Sequence, residues 1–168
     1  MRLVLLVLAV AGCASTAADR PLTMKLGGTR EVTTRQLHDH AYCHHADGPP
    51  ARTETYPRCD RPGPEWGESW VTAVFAGDTV VELRRWERLT DDNRAIERWN
   101  QLIRERNAIA PASAEALEAL RASGLLQAGT RSVQAFRDGD QVIGVYLLTP
   151  SPPEDANILE KIVKLPPK

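Results

Sequence analysis

Two stretches of the sequence have the pattern of a β-hairpin, and they constrain the fold more than any other feature. In residues 70–86, β-branched and aromatic residues precede Ala76-Gly77-Asp78, and apolar and charged residues alternate after this turn. Residues 132–148 have the same arrangement around Asp138-Gly139-Asp140. Alternation on either side of turn residues is typical of two antiparallel strands, so we predict that both stretches join one sheet.

Three further segments have helical periodicity. Thr90 precedes two acidic residues and a stripe of apolar residues, which predicts a capped helix over 92–106. Ser113 is the N-cap of a second predicted helix, and Gly124 is its C-terminal stop. Residues 154–163 carry isoleucine and leucine at helical spacing and predict a third helix.

The segment before the first hairpin is less regular. Thr33 and Gln36 have the spacing of a capping box, which predicts a short helix from about Thr34 to His45. Residues 51–67 are rich in proline, arginine and glycine, and they predict an irregular loop.

Together these elements predict an α+β fold, in which two hairpins form an antiparallel sheet and helices 92–106 and 154–163 cover one face. Residues 22–168 are long enough for a single domain with its own core. The stretch Phe75–Val81 is similar to Phe136–Ile143, with one insertion. One interpretation is an internal duplication, and the other is that any two hairpins look alike over so few residues.

The first thirteen residues have the pattern of an export signal. Arg2 supplies a positive charge, and the apolar run Leu3–Val10 is shorter than the roughly 20 residues that span a bilayer. The following Val10-Ala11-Gly12-Cys13 resembles the lipobox of bacterial lipoproteins, in which small residues lead into a cysteine. The resemblance is confined to residues 1–13, and the rest of the sequence contains no family motif that we identify.

This resemblance implies that residues 1–12 are a signal peptide, that Cys13 carries the lipid and that residues 13–21 tether the domain to a membrane. In lipoproteins of enteric-type bacteria an aspartate after the cysteine retains the protein in the inner membrane. Ala14 therefore favours the outer membrane, with the domain facing the periplasm or the cell surface. The net charge of −1 provides no basic excess for nucleic-acid binding.

The two remaining cysteines are Cys43 and Cys59. Export would place them in an oxidising compartment, where a pair of thiols normally forms a disulfide. Their loop contains prolines and few large apolar residues, so burial alone would not hold it. A bond closing a loop of about 15 residues contributes on the order of 3 kcal/mol in the chain-entropy description.

All four histidines lie between His38 and His45. His40 and His44 are four residues apart and would share a helix face, so together with Asp47 they could bind Cu²⁺ or Zn²⁺. The alternative is a solvated helix end beside a disulfide. Cys43 with His40 or His44 could also form a nucleophile and base, but a disulfide would consume the thiol.

The sequence contains no Gly-x-Ser-x-Gly, phosphate-loop or His-Glu-x-x-His motif. Arg84, Arg85 and Trp86 belong to the residue types that anchor protein interfaces, although a solvated arginine face over a core Trp99 would look the same. We therefore expect a lipid-anchored accessory protein that binds an unknown envelope partner and does not catalyse a reaction. The alternative is a lipoprotein that binds copper or zinc through the His38–His45 cluster, and no other cofactor is expected.

Overall fold

The computed structural model describes residues 20–44, 49–60 and 69–165. The predicted signal peptide, the lipobox with Cys13 and Ala14, and most of the tether lie outside the described residues, as do His45 and Asp47. Among the helices of the described ranges, none has the length and apolar character needed to cross a membrane.

In the described part of the chain, three helices and six strands follow one another as α1, β1, β2, β3, α2, α3, β4, β5 and β6. The helices are α1 (Arg30–Asp39), α2 (Asp92–Asn107) and α3 (Ala114–Ala122). The strands are β1 (Thr53–Pro57), β2 (Ser69–Ala76), β3 (Thr79–Glu87), β4 (Thr130–Asp138), β5 (Gln141–Leu148) and β6 (Ile158–Lys164). All six strands form one antiparallel sheet, which confirms the predicted α+β class.

The strand order of the sheet is β1-β2-β3-β6-β5-β4. β2 pairs with β3 across the turn at Gly77, and β4 pairs with β5 across the turn at Gly139. β6 lies between β3 and β5 and pairs with both, so that Glu160 is opposite Arg85 on one side and Val145 on the other. The last strand of the described residues therefore joins the two halves of the sheet, and the suggested duplication of these halves stays a prediction.

The predicted helix over 154–163 is wrong, because Ile158–Lys164 is the central strand β6. Every residue of this strand except Lys164 is buried, since layers of side chains cover both faces of the sheet at this point. Two charged residues separate its apolar pairs Ile158-Leu159 and Ile162-Val163, and this spacing matches one face of a helix better than the strict alternation of a half-buried strand.

The irregular segment before β2 is also more ordered than predicted, since it contains the edge strand β1. The helix predicted from Thr34 to His45 corresponds to α1, which begins earlier, at Arg30, and ends at Asp39. Its N-cap is Thr29, whose side chain accepts a hydrogen bond from the Val32 N–H, whereas Thr33 is buried inside the helix.

The helices cover both faces of the sheet. The core cluster that contains Leu37 of α1 and Leu102 of α2 also includes Ile143 of β5, whereas Leu120 of α3 clusters with Val142. Neighbouring residues of a strand point to opposite faces, so α3 lies on the face opposite α1 and α2. The expectation of helices on one face only is therefore not met.

An extended segment, residues 20–28, crosses the same face as α1 and α2, and we call it the strap. Its buried residues Leu22, Met24 and Leu26 alternate with exposed residues. Sheet side chains bind its backbone: Glu160 accepts from the Leu22 N–H at 3.2 Å, and Gln141 accepts from the Leu26 N–H at 3.1 Å. At its end, Gly27 and Gly28 exchange backbone hydrogen bonds with Val80.

Beneath the strap lies a cluster of buried charges, formed by Arg85 of β3, Glu160 of β6 and Arg106 of α2. Their exposed fractions are 0%, 0% and 1%. Arg85 Nη2 is 3.3 Å from Glu160 Oε2, and Arg106 pairs with the other oxygen of the same carboxylate. The two arginines also donate to the carbonyl groups of Arg20 and Leu22. The charge cluster therefore joins two strands, one helix and the strap.

The charge on Glu160 is stabilised by its partners. Burial alone would raise the pKa of this carboxyl, but the positive charges of Arg85 and Arg106 outweigh it and hold the pKa below its usual value. Glu87 lies 3.2 Å from Arg85 and also pairs with Arg98. The Glu87–Arg98 pair therefore extends the charge cluster to α2.

Replacing Glu160 with glutamine (Glu160→Gln) leaves the buried Arg106 without its anionic partner and leaves Arg85 with Glu87 alone. We expect the free energy of unfolding to fall by about 3–5 kcal/mol, the usual cost of removing one partner from a buried ion pair. Urea denaturation at neutral pH measures this change. The control is Glu118→Gln in the exposed pair with Arg121, where we expect a change within about 0.5 kcal/mol.

Acid should remove the same contribution from the wild-type protein. Because the pKa of Glu160 is lower in the folded than in the unfolded chain, its contribution is complete above the unfolded pKa of about 4.5. It is lost as the pH falls through the lower, folded pKa. The difference in stability between wild type and Glu160→Gln should therefore shrink on acidification, and a difference that stays constant would contradict this assignment.

Candidate functional site

The histidine-rich segment follows directly from the end of α1. The helix ends at Asp39, His40 is its C-cap, and Ala41 has a φ of 62°. His40 and His44 therefore do not share a helix face, which was the basis of the predicted metal site. Burial and then the positive charge of Arg85 lower the pKa of His40, which lies close to the charge cluster.

His44 lies in different surroundings. Its ring centroid is 5.0 Å from that of Tyr56, and its Nε2 is 3.5 Å from Glu54 Oε2. Asp47, the third predicted ligand, is outside the described residues. The structure thus gives His40 and His44 separate neighbours, and a three-ligand set that includes Asp47 stays a prediction.

The predicted disulfide between Cys43 and Cys59 is confirmed, with a Cα–Cα distance of 4.9 Å. Backbone hydrogen bonds hold the two cysteines independently of the bond: the Cys43 N–H donates to the Pro57 carbonyl and the Cys59 N–H donates to the Ala41 carbonyl, both at 2.9 Å. Between these bonds, Tyr42 and Arg58 form an isolated β-bridge. The chain before β1 is therefore paired with the chain after it.

Tyr42 anchors this paired segment to the core. Its side chain is 1% exposed, and its hydroxyl is 2.8 Å from the Ser69 hydroxyl on β2. Burial raises the pKa of Tyr42 to about 12. The position of both cysteines therefore depends on packing as well as on their covalent bond.

His38 lies beside the disulfide on the last turn of α1. Its imidazole nitrogen and the sulfur atoms of Cys43 and Cys59 all lie within 4.8 Å of one another. His38 is exposed and both cysteines are half-buried. In the oxidised protein the two sulfurs bind each other and are not thiolates, so only the histidine is available as a metal ligand.

A second polar group surrounds Glu54 of β1, whose side chain is 6% exposed. Arg30 pairs with this carboxylate and places its guanidinium 3.9 Å from the centroid of the Phe75 ring. The Tyr56 hydroxyl donates to Glu54 Oε2 at 2.8 Å and lies 3.2 Å from the Thr34 hydroxyl. Burial, together with the bonded carboxylate, raises the pKa of Tyr56 to about 12.

This Glu54 network was missed by the sequence reasoning, which assigned β1 to an irregular loop. The alternation of Glu54 and Tyr56 with two threonines is a short β-strand pattern that could have indicated it. Strand geometry places Glu54 and Tyr56 on the same face of the sheet, under α1.

An open groove of about 850 Å³ runs along the outer side of α1. Exposed and half-buried polar residues of both charges line it, together with the turn between β2 and β3. The lining residues are Thr29, Arg30, Glu31, Thr34, Arg35, His38 and Asp78. The groove therefore extends from the β2–β3 turn to the histidine beside the disulfide.

The predicted interface residues Arg84, Arg85 and Trp86 do not form one surface. Arg85 belongs to the buried charge cluster, and Trp86 is 3% exposed and stacks on Trp70 with a centroid distance of 6.4 Å. Arg84 is half-buried and binds Glu82 at 2.6 Å. Of the three residues, only Arg84 is accessible to a partner.

Removing the charge of Glu54 (Glu54→Gln) should weaken the whole network. We expect the free energy of unfolding to fall by about 1.5–3 kcal/mol, the usual contribution of hydrogen bonds to a charged group. The pKa of Tyr56 should also fall, because a negative charge next to its hydroxyl is lost. Urea denaturation and the absorbance of tyrosinate during alkaline titration measure the two effects.

The matched control is Glu31→Gln, since the Glu31–Arg35 pair is exposed and its atoms are 3.5 Å apart. Exposed pairs of this kind contribute little, so the change should stay within about 0.5 kcal/mol. Equal losses of stability in the two variants would contradict the assignment of Glu54 as the centre of the network.

Comparison of the chain with protein families, with curated proteins and with solved structures finds no match in any of the three. What the site can do therefore has to be argued from its own residues.

Proposed function

We propose that this protein is a lipid-anchored protein of the bacterial cell envelope that is attached through Cys13 and binds an envelope partner without catalysing a reaction. The observation that carries the proposal is the docking of the strap. The chain segment that follows the proposed anchor is bound to the core by Arg85, Arg106 and Glu160. The Cys43–Cys59 bond suits a protein that is exported to an oxidising compartment.

The strap limits how far the domain can lie from the membrane. Arg85 binds the carbonyl of Arg20, so the chain is fixed to the domain from this residue onwards. Seven positions separate Arg20 from Cys13, and a chain of that length reaches at most about 25 Å. A lipid on Cys13 would therefore hold the folded domain close to the membrane surface, and Ala14 favours the outer membrane.

The groove along α1 is the proposed contact surface for the partner. Glu31 and Arg35 form only a weak exposed pair, so both side chains can exchange it for charges on a partner at little cost. The backbone beneath them is fixed, because the Arg30 N–H donates to the Asp78 carbonyl at 2.8 Å and Arg30 pairs with Glu54. A rigid groove of this kind loses little conformational entropy on binding.

The groups beneath the groove favour binding over catalysis. The carboxylate of Glu54 is already occupied by Arg30 and Tyr56. With a pKa of about 12, Tyr56 keeps its proton near neutral pH. A general base needs a free acceptor and a pKa near the working pH. Glu54 and Tyr56 meet neither requirement, and we assign them a structural role.

Replacing the proposed lipid-carrying residue (Cys13→Ser) should release the protein from the membrane fraction or leave an uncleaved precursor, because serine cannot accept the thioether-linked lipid. Fractionation followed by mass spectrometry measures both results. Wild-type protein that is recovered as soluble and carries no acyl group would refute the anchor.

A photo-crosslinking residue at Arg35 should form a discrete adduct with one envelope protein in intact cells. The same residue at Glu118 is the control, because Glu118 is exposed on α3, on the opposite face of the sheet. The charge reversal Arg35→Glu should reduce capture of that partner by the otherwise unmodified protein. Equal adducts from both positions, or none from Arg35, would contradict the groove as the contact surface.

A further inference from the structure

We propose that reduction of the Cys43–Cys59 bond creates a zinc site whose ligands are the two thiolates and His38. The site is separate from the predicted His40–His44 pair, and it does not depend on the lipid anchor. It would make the oxidised and reduced proteins two chemically distinct states, of which only the reduced one binds metal.

The donor atoms are already close to the required arrangement. Zinc binds thiolate sulfur at about 2.3 Å and imidazole nitrogen at about 2.0–2.1 Å, which places tetrahedral ligand atoms about 3.5–3.8 Å apart. The imidazole nitrogen of His38 and the two sulfurs lie within 4.8 Å of one another. Rotation of the cysteine and histidine side chains can therefore form the site without movement of the backbone.

The backbone that carries the three ligands should keep its position after reduction. Hydrogen bonds from Cys43 to Pro57 and from Cys59 to Ala41 do not involve the sulfurs. Tyr42, next to Cys43 in the chain, is buried, and its N–H donates to the Leu37 carbonyl at 2.9 Å. These contacts join both cysteines to the end of α1.

His38 belongs to the same hydrogen-bonded unit. Its carbonyl accepts a hydrogen bond from the Ala41 N–H at 2.8 Å, and the adjacent Leu37 is fully buried. Because the three ligands extend from one unit, little chain entropy is lost when they bind a metal ion. This preorganisation distinguishes the site from a chance meeting of three side chains.

Accessibility also favours this site over the histidine pair. His40 is half-buried beside the charge cluster, and burial, followed by the positive charge of Arg85, lowers its pKa, whereas Glu160 and Asp39 act in the opposite direction. His38 is on the exposed side of α1, at the end of the groove, where the ion and water can enter.

The chemistry balances with a dithiol as reductant. One thiolate of the reductant attacks a sulfur of the disulfide, its second thiol resolves the mixed disulfide, and the protein gains two thiols while the reductant becomes a disulfide. Zn²⁺ then displaces the two thiol protons, which pass to the solvent. Three protein ligands leave the fourth tetrahedral position for water.

The test uses the full chain with Cys13→Ser, so that Cys43 and Cys59 are the only thiols. The protein is reduced with a phosphine, its fold is checked by circular dichroism, and Zn²⁺ is titrated against a chromophoric chelator. We expect one zinc ion per reduced chain and none per oxidised chain. Co²⁺ should give a sulfur-to-cobalt charge-transfer band in the reduced chain only.

His38→Ala should weaken zinc binding by at least the roughly 10- to 100-fold that loss of a supporting group costs at metal sites. His40→Ala is the matched control and should leave the affinity unchanged. The proposal is overturned by a reduced chain that unfolds or binds no zinc, by equal binding to the oxidised chain, or by a His38→Ala variant that binds as tightly as the parent. Loss of binding in a His40→Ala, His44→Ala double variant with His38 dispensable would assign the metal to the histidine pair.

Discussion

The buried ion cluster of Arg85, Glu160 and Arg106 is the interaction on which the rest of the structure depends. Two guanidinium groups and one carboxylate are removed from water together, and each would be unfavourable without the others. The pairing of Arg85 with Glu160 also fixes the register of β3 on β6, because a shift of one strand by one residue would place the two charges on opposite faces of the sheet. The same two arginines bind the backbone of the strap.

The strap in turn positions the candidate site. Its last residues, Gly27 and Gly28, pair with Val80, and Thr29 then caps α1. The start of α1 is therefore set by the strap, and its end is set by Tyr42 and the cysteine pairing. The groove and His38 lie between these two fixed points. A change at the charge cluster would therefore alter the position of α1 and of the groove, although the cluster contributes no side chain to the groove.

The sequence predicted those parts of the fold whose residues obey a simple period. The β2–β3 and β4–β5 patterns and the helix over 92–106 have clear alternation or an apolar stripe, and the disulfide was predicted from the expected export and the two cysteines that remain besides Cys13. β6 was missed because burial on both faces removes its alternation. Arg85 and Glu160 could not be identified as core residues, since a charged residue in a strand normally indicates the solvent face. Glu54 was missed because its short strand lies within a proline-rich segment.

The central position of β6 has a consequence for the order of events during synthesis. The strands before it cannot form one sheet, because the only strand that pairs with both β3 and β5 is the last one along the described chain. Docking of the strap also depends on β6, since the Leu22 N–H donates to Glu160 across a separation of 138 residues. Such non-local pairing slows folding. The six-stranded sheet and the charge cluster can therefore be completed only after β6 has been synthesised, whereas the β2–β3 and β4–β5 hairpins consist of local pairs that need no later residue.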